Sequence, residues 1–87
     1  MNRNDILEAL RDAAVDVLAV EPDAVVEGAR FKDDLDADSL DLVEFLMAVE
    51  ERFDISVPES DLEGLETVAH AVDLVAQKLA EKVGAGT

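Results

Sequence analysis

The stretch Asp38-Ser39-Leu40-Asp41-Leu42-Val43-Glu44-Phe45-Leu46-Met47-Ala48-Val49-Glu50-Glu51-Arg52-Phe53 decides the fold. Asp38 can cap a helix, Asp41 stands three positions on, and Asp54 and Pro58 lie beyond Phe53, so the pattern predicts one helix from Asp38 to about Phe53. At about 100° per residue, Leu42, Phe45, Leu46, Val49 and Phe53 fall on one side and span roughly 100° of arc, enough for a core stripe. Leu40, Val43 and Met47 make a second stripe, displaced from the first, with Glu50 on one edge and Glu44 and Glu51 on the other. Two readings of the second stripe stand. The helix is central and packed on both sides, or the stripe is a docking patch with apolar contact at its centre and charge at its rim.

Working outward, Ile6, Leu7, Leu10, Ala13, Ala14, Val17 and Leu18 recur on one helical face. With Asn4 as cap and Pro22 as stop, this predicts a first helix from Asn4 to Val20. No period persists from Glu21 to Asp38, a long connection for a small domain, in which Val25, Val26, Phe31 and Leu35 are the expected anchors and Gly28 a turn. Beyond the central helix, Ile55-Ser56-Val57 is a connector, and Pro58 opens a brief helix through about Leu62, ended by Gly64. Thr67 caps a last helix whose stripe is Val68, Ala71, Val72, Val75 and Leu79, with Gly84 as its expected end and a frayed tail after it. These elements make residues 1–87 a single all-α domain: a small antiparallel bundle of three main helices plus one short helix, with a long loop between the first and second.

The charge narrows the function. Twenty-two acids against seven bases give −15 on 87 residues. Nucleic acid is excluded, because phosphate binding needs Lys and Arg, and membrane insertion is not expected. Basic protein surfaces or divalent cations are the natural partners. Apolar residues make up 49% of the chain, too many for an acidic disordered tail. No Cys is present, so disulfides and thiolate chemistry are out. The start has no apolar signal region and no apolar run approaches the ~20 residues of a membrane span, so a cytoplasmic protein is expected; a monomer is the expected state. The charge is also concentrated: residues 33–66 hold 13 acids and one base, Arg52, for −12 of the total.

Catalytic constellations are missing. Asp34-Leu35-Asp36-Ala37-Asp38 spells the alternating acids of a calcium loop, but position six from Asp34 is Ser39, where Gly is needed, and position twelve is Phe45, where Glu is needed. No metal site is assigned. His70 is the one His, beside the last helical stripe, and no nucleophile elbow surrounds any Ser. Ser39, directly after the cap and next to the second stripe, offers an exposed hydroxyl. A phosphate added there would meet backbone N–H groups and the positive end of a helix dipole.

Asp38-Ser39-Leu40 with the helix that follows, then Ile55-Ser56-Val57-Pro58 and Thr67-Val68 in register, resembles the acyl carrier protein family over nearly the whole chain. The resemblance implies that Ser39 carries 4′-phosphopantetheine, added from coenzyme A by a phosphopantetheinyl transferase, and that the chain is a non-catalytic carrier of acyl thioesters. The reactive sulfur absent from the chain would thus be imported. It implies that Leu40, Val43 and Met47 make apolar contact with partner enzymes, and that Asp38, Asp41, Glu44, Glu50 and Glu51 meet their Arg and Lys, with Val57 and Glu59 adding to the surface. The implied partners are acyltransferases, ketosynthases, reductases and dehydratases with basic docking patches. Phe31, Leu46, Leu65 and Ala71 are the implied lining of an acyl-chain site. Two departures stand out: Asp36 occupies a position often held by Gly in the family, and Arg52 interrupts the acidic end of the helix, which would narrow partner choice. Met1 and the short tails lead to the expectation of a free-standing carrier for fatty-acid synthesis. The alternatives are a discrete carrier of a polyketide or other specialised pathway and, in a different class, a calcium-binding or structural helical module.

Overall fold

The computed structural model describes residues 2–85, with side chains to residue 82. Three α-helices form the bundle: α1 (Arg3–Leu18), α2 (Ser39–Phe53) and α3 (Val68–Ala85). A short 3-10 helix, Glu59–Gly64, lies between α2 and α3, and a single 3-10 turn, Pro22–Ala24, opens the long loop. The architecture is therefore the expected all-α bundle, with differences at the helix ends and in the helix directions.

Helix α1 is capped by Asn2, not Asn4. The Asn2 side chain accepts the Asp5 N–H at 2.9 Å and the Asp5 carboxylate accepts the Asn2 N–H at 3.4 Å, a reciprocal box that Asn4 cannot make from within the first turn. The helix also stops short of Val20, because Ala19 turns left-handed at φ 56°. Ile6, Leu10, Ala13 and Ala14 are buried along its inner face. In α3, Val68, Ala71, Val72 and Val75 do the same, and the helical backbone continues through Gly84 to Ala85 rather than ending at the glycine. The last two residues of the tail expected to fray lie outside the described residues. Pro58 precedes the short helix as its cap residue rather than opening its first turn.

The helices do not run antiparallel. Ion pairs join like ends: Arg3 at the start of α1 pairs with Asp73 early in α3, Asp16 near the end of α1 with Arg52 at 2.8 Å, and Asp54 at the end of α2 with Lys82 at 2.8 Å. A short connection forces antiparallel neighbours, whereas a long one can return the chain to its starting end. Residues 19–38 do so. Arg11 donates to the Val25 carbonyl at 3.0 Å and Arg3 reaches Glu27, so the loop retraces α1 from its end to its start.

The loop is held by backbone bonds. Arg30 and Thr67 form an isolated antiparallel bridge. Phe31 N–H donates to the Glu66 carbonyl at 3.0 Å, while the Ala29 and Glu27 carbonyls accept the N–H groups of Val68 and Ala69, both at 2.9 Å. With Thr67 Oγ1 accepting from His70 N–H at 3.3 Å, the orphan donors opening α3 are satisfied largely by the loop. Val25, Phe31 and Leu35 are buried anchors, as expected. Val26 is not: it is 49% exposed, since adjacent residues of an extended turn face opposite ways and Val25 takes the inner position.

The far end of α2 gives a testable electrostatic contribution. Asp54 closes the helix at φ 54°, and Lys82 Nζ donates both to its carbonyl at 2.9 Å and to its carboxylate. The hydrogen bond and then the charge of Lys82 hold the Asp54 carboxyl below its usual range. A carboxyl lowered by folding stabilises above its unfolded pKa, and that contribution is lost as pH falls through the native value. Lys82→Ala should therefore lower the melting temperature at pH 7, and the deficit should shrink as thermal melts are repeated into acid below about pH 4. A deficit that stays constant across this range would remove the ion pair from the stability of α2.

Candidate functional site

The site begins with the cap of α2. Asp41 N–H donates to Asp38 Oδ1 at 2.9 Å, and Asp38 N–H donates to Asp41 Oδ2 at 3.2 Å. The two carboxylates thus satisfy each other's backbone and fix the helix start. Ser39 is the first helical residue and is exposed. Just upstream, Asp36 is left-handed at φ 53° and Ala37 N–H donates to the Phe31 carbonyl at 2.8 Å. The chain must turn left-handed here to enter the helix, and Asp is one of the few residues besides Gly that tolerate it.

Of the two stripes on α2, the first is the core: Leu42, Phe45, Leu46, Val49 and Phe53 are all buried. The second is left open. Leu40 is 67% exposed and Met47 60%, so the helix is not packed on both sides. Val43 is half-buried between the two, while Glu44 and Glu51 are exposed on the flank. Glu59 is exposed at the first position of the short 3-10 helix.

Three side chains read as outward-facing from sequence make contacts within the protein, two of them part-buried or buried and Arg52 at the surface. Val57 is 8% exposed and belongs to the core. Its N–H donates at 3.1 Å to Glu50 Oε2, so the half-buried Glu50 holds the connector after α2 rather than lying free at the rim. Arg52, exposed at the end of α2, reaches across to Asp16 of α1 at 2.8 Å. Nothing in the spacing of α2 distinguishes these residues from their neighbours, because their partners lie more than a helix length away in sequence or on a connector without a period.

Beside Ser39 lies an open cleft of about 550 Å³. The long loop contributes Arg30, Lys32 and Asp33 to it, and α2 contributes Ser39, Leu42 and Val43. The opposite wall comes from the short 3-10 helix and the segment after it, with Leu62, Glu63, Leu65 and Glu66. Of the four residues read as acyl-chain lining, only Leu65 reaches this cleft. Phe31, Leu46 and Ala71 sit in the core, at 1%, 5% and 1% exposure. Phe31 lies with its ring 5.4 Å from that of Phe45. Sequence reading missed Arg30, Lys32 and Leu62, which come from segments without helical periodicity.

Among the described residues, no helix is long and apolar enough to cross a membrane, and no three His, Asp or Glu side chains gather into a metal site. The calcium-loop acids fall partly on the loop and partly in the α2 cap, where Asp34 accepts the Arg30 N–H at 2.7 Å and Asp38 that of Asp41.

A protein-family model described as a phosphopantetheine attachment site matches residues 8–75, most of the chain and all of the site described above. The chain belongs to the acyl carrier protein family. It is 44% identical over 80 residues to an acyl carrier protein of Thermosynechococcus vestitus, covering 92% of this chain and 99% of the relative. An acyl carrier protein of Caulobacter vibrioides is 47% identical over 77 residues, covering 88% of this chain and 99% of that protein. Among solved structures, the acyl carrier protein from Enterococcus faecalis superposes with a TM-score of 0.71 at 32% identity, over 90% of this chain and 99% of that one. The prosthetic group of this family is phosphopantetheine. Ser39 fits such a group: its hydroxyl is exposed, the cleft adjoins it, and among the described residues the N–H groups of Ser39 and Leu40 make no hydrogen bond.

The division of labour among the α2 carboxylates is measurable. Glu50→Ala leaves a part-buried N–H without its charged acceptor and should cost about 1–3 kcal/mol in denaturant unfolding. Glu51→Ala removes an exposed carboxylate and should stay within about 0.5 kcal/mol of the parent. Equal effects would mean the Glu50 bond does not hold the connector.

Proposed function

We propose that the protein is a carrier for fatty-acid biosynthesis, bearing 4′-phosphopantetheine on Ser39 and presenting acyl thioesters to enzymes with basic docking patches. The observation that carries this reading is the coincidence at one helix end of an exposed serine, an open apolar stripe and the densest acidic charge of the chain. In the loading reaction Ser39 Oγ attacks the phosphate of coenzyme A that bears the pantetheine and displaces adenosine 3′,5′-bisphosphate, on a phosphopantetheinyl transferase. When bound, the arm supplies the thiol that holds the acyl group. The chain itself supplies the attachment point and the surface by which enzymes find it.

Docking would use Leu40, Val43 and Met47 as apolar contacts, with Asp38, Asp41, Glu44, Glu51 and Glu59 in the field around them. Exposed charges of one sign steer a partner of the other and act chiefly on the rate of encounter. Glu50 and Val57, engaged within the fold, are set aside from this surface.

Incubation with coenzyme A and a broad-specificity transferase should add the mass of one phosphopantetheine, and Ser39→Ala should abolish the gain. No gain under conditions that load a control carrier would overturn the reading. Mass spectrometry of the native protein should find fatty acyl thioesters, whereas a polyketide or other specialised group would reassign the pathway. Glu44→Lys should slow association with the transferase by several-fold at low salt, with the thermal melt unchanged. An unchanged association rate would take Glu44 out of the interface.

A further inference from the structure

The cations of this chain are few, and most are committed. Arg3, Arg52, Lys78 and Lys82 pair with carboxylates of other elements, and Arg11 donates to the Val25 carbonyl. Arg30 has only a long 3.6 Å pair with Asp33, exposed on both sides. Among the described residues, Lys32 has neither an ion pair nor a side-chain hydrogen bond. Lys32 is exposed, so its ammonium stands open to an added anion.

Its place is set by the loop. The Arg30 carbonyl accepts from Asp34 and Leu35 N–H, the Arg30 N–H is held by Asp34, and the Phe31 N–H and carbonyl are bonded to Glu66 and Ala37. With Phe31 buried on Phe45, the backbone on the N-terminal side of Lys32 has little freedom. Arg30 and Lys32 are thereby directed to the cleft that Ser39 also lines.

We propose that Lys32, with Arg30, holds the phosphodiester of the arm on Ser39 and so lays the arm back along this cleft between encounters with enzymes. This rests on the carrier reading above. A phosphodiester on Ser39 adds an anion next to Asp36, Asp38 and Asp41, an unfavourable place without cations nearby. The open N–H groups of Ser39 and Leu40 offset part of that, and Lys32 and Arg30 supply the rest. The remainder of the cleft offers both apolar and polar surface to the remainder of the arm. Leu42, Val43, Leu62 and Leu65 offer apolar surface to its geminal methyl groups, and the Glu63 and Glu66 carboxylates offer acceptors to its hydroxyl and amide N–H groups. The cleft is thus a resting site for the arm itself, formed by the loop on one wall and the short helix on the other.

The test compares apo and loaded protein by amide NMR for the parent, Lys32→Gln, the double variant Arg30→Gln with Lys32→Gln, and Arg52→Gln, which removes a positive charge away from the cleft. Mass is checked first: if the parent gains no phosphopantetheine, the carrier reading fails and this inference falls with it. With loading complete, the parent and Arg52→Gln should show apo-to-loaded shifts at residues 30–34 and on the opposite wall at 62–66. Lys32→Gln should reduce the shifts at 62–66 and the double variant should abolish them, with the ³¹P resonance of the phosphodiester displaced from the parent value in both. Shifts confined to residues adjoining Ser39 in every protein, with an unchanged ³¹P resonance, would show an arm that swings free and would overturn the proposal.

Discussion

Phe31 joins the parts of this molecule that matter for its function. Its ring is buried against Phe45 of α2, its N–H is bonded to Glu66 ahead of α3, and its carbonyl accepts from Ala37 at the entrance to α2. One residue therefore sets the loop against α2, places the loop where it satisfies the first N–H groups of α3, and fixes the approach to Ser39. Burial of an aromatic side chain supplies a few kcal/mol, and the backbone bonds supply direction. Without that anchor a loop of this length has nothing periodic to hold it, and the start of α2 would have no defined neighbour.

The second consequence is the asymmetry of α2. One stripe is consumed by the core and the other is left to solvent, with Leu40 and Met47 exposed. An exposed apolar strip on a small protein invites association, and the surrounding carboxylates restrict it to basic partners. Concentrating −12 within residues 33–66 has a cost in self-repulsion, of which the pairs of Lys82 with Asp54 and Lys78 with Asp61 offset a part. The cations are thus spent mostly on architecture, away from the serine, and the acidic field around α2 is left largely uncompensated. Arg30 and Lys32 are the exceptions, at the one place where a covalent anion would be added.

Much of this was legible in the chain. The cap at Asp38, both stripes of α2, the burial of Phe31 and Leu35, and the cap at Thr67 all follow from short-range patterns of side-chain type and spacing. What could not be read this way involves partners far apart in sequence. Glu50 looks like any other rim acid until Val57 N–H is found on it, and Arg52 looks like a surface charge until Asp16 is found across from it. Asp36, a departure by residue type in the chain, turns out to sit at a left-handed backbone position that few residues tolerate.

The sequence by itself determined the helices, the exposed serine at a helix start and the acidic character of its surroundings. These depend on neighbours within a turn or two, where periodicity and capping act. Only the tertiary structure decided that the helices run in the same sense, that the second stripe of α2 stays open, and that Arg30 and Lys32 share a cleft with Ser39. Each of these depends on the path of the aperiodic loop. That path is set by which distant backbone groups can be satisfied together when Phe31 is buried, a condition that no local pattern expresses.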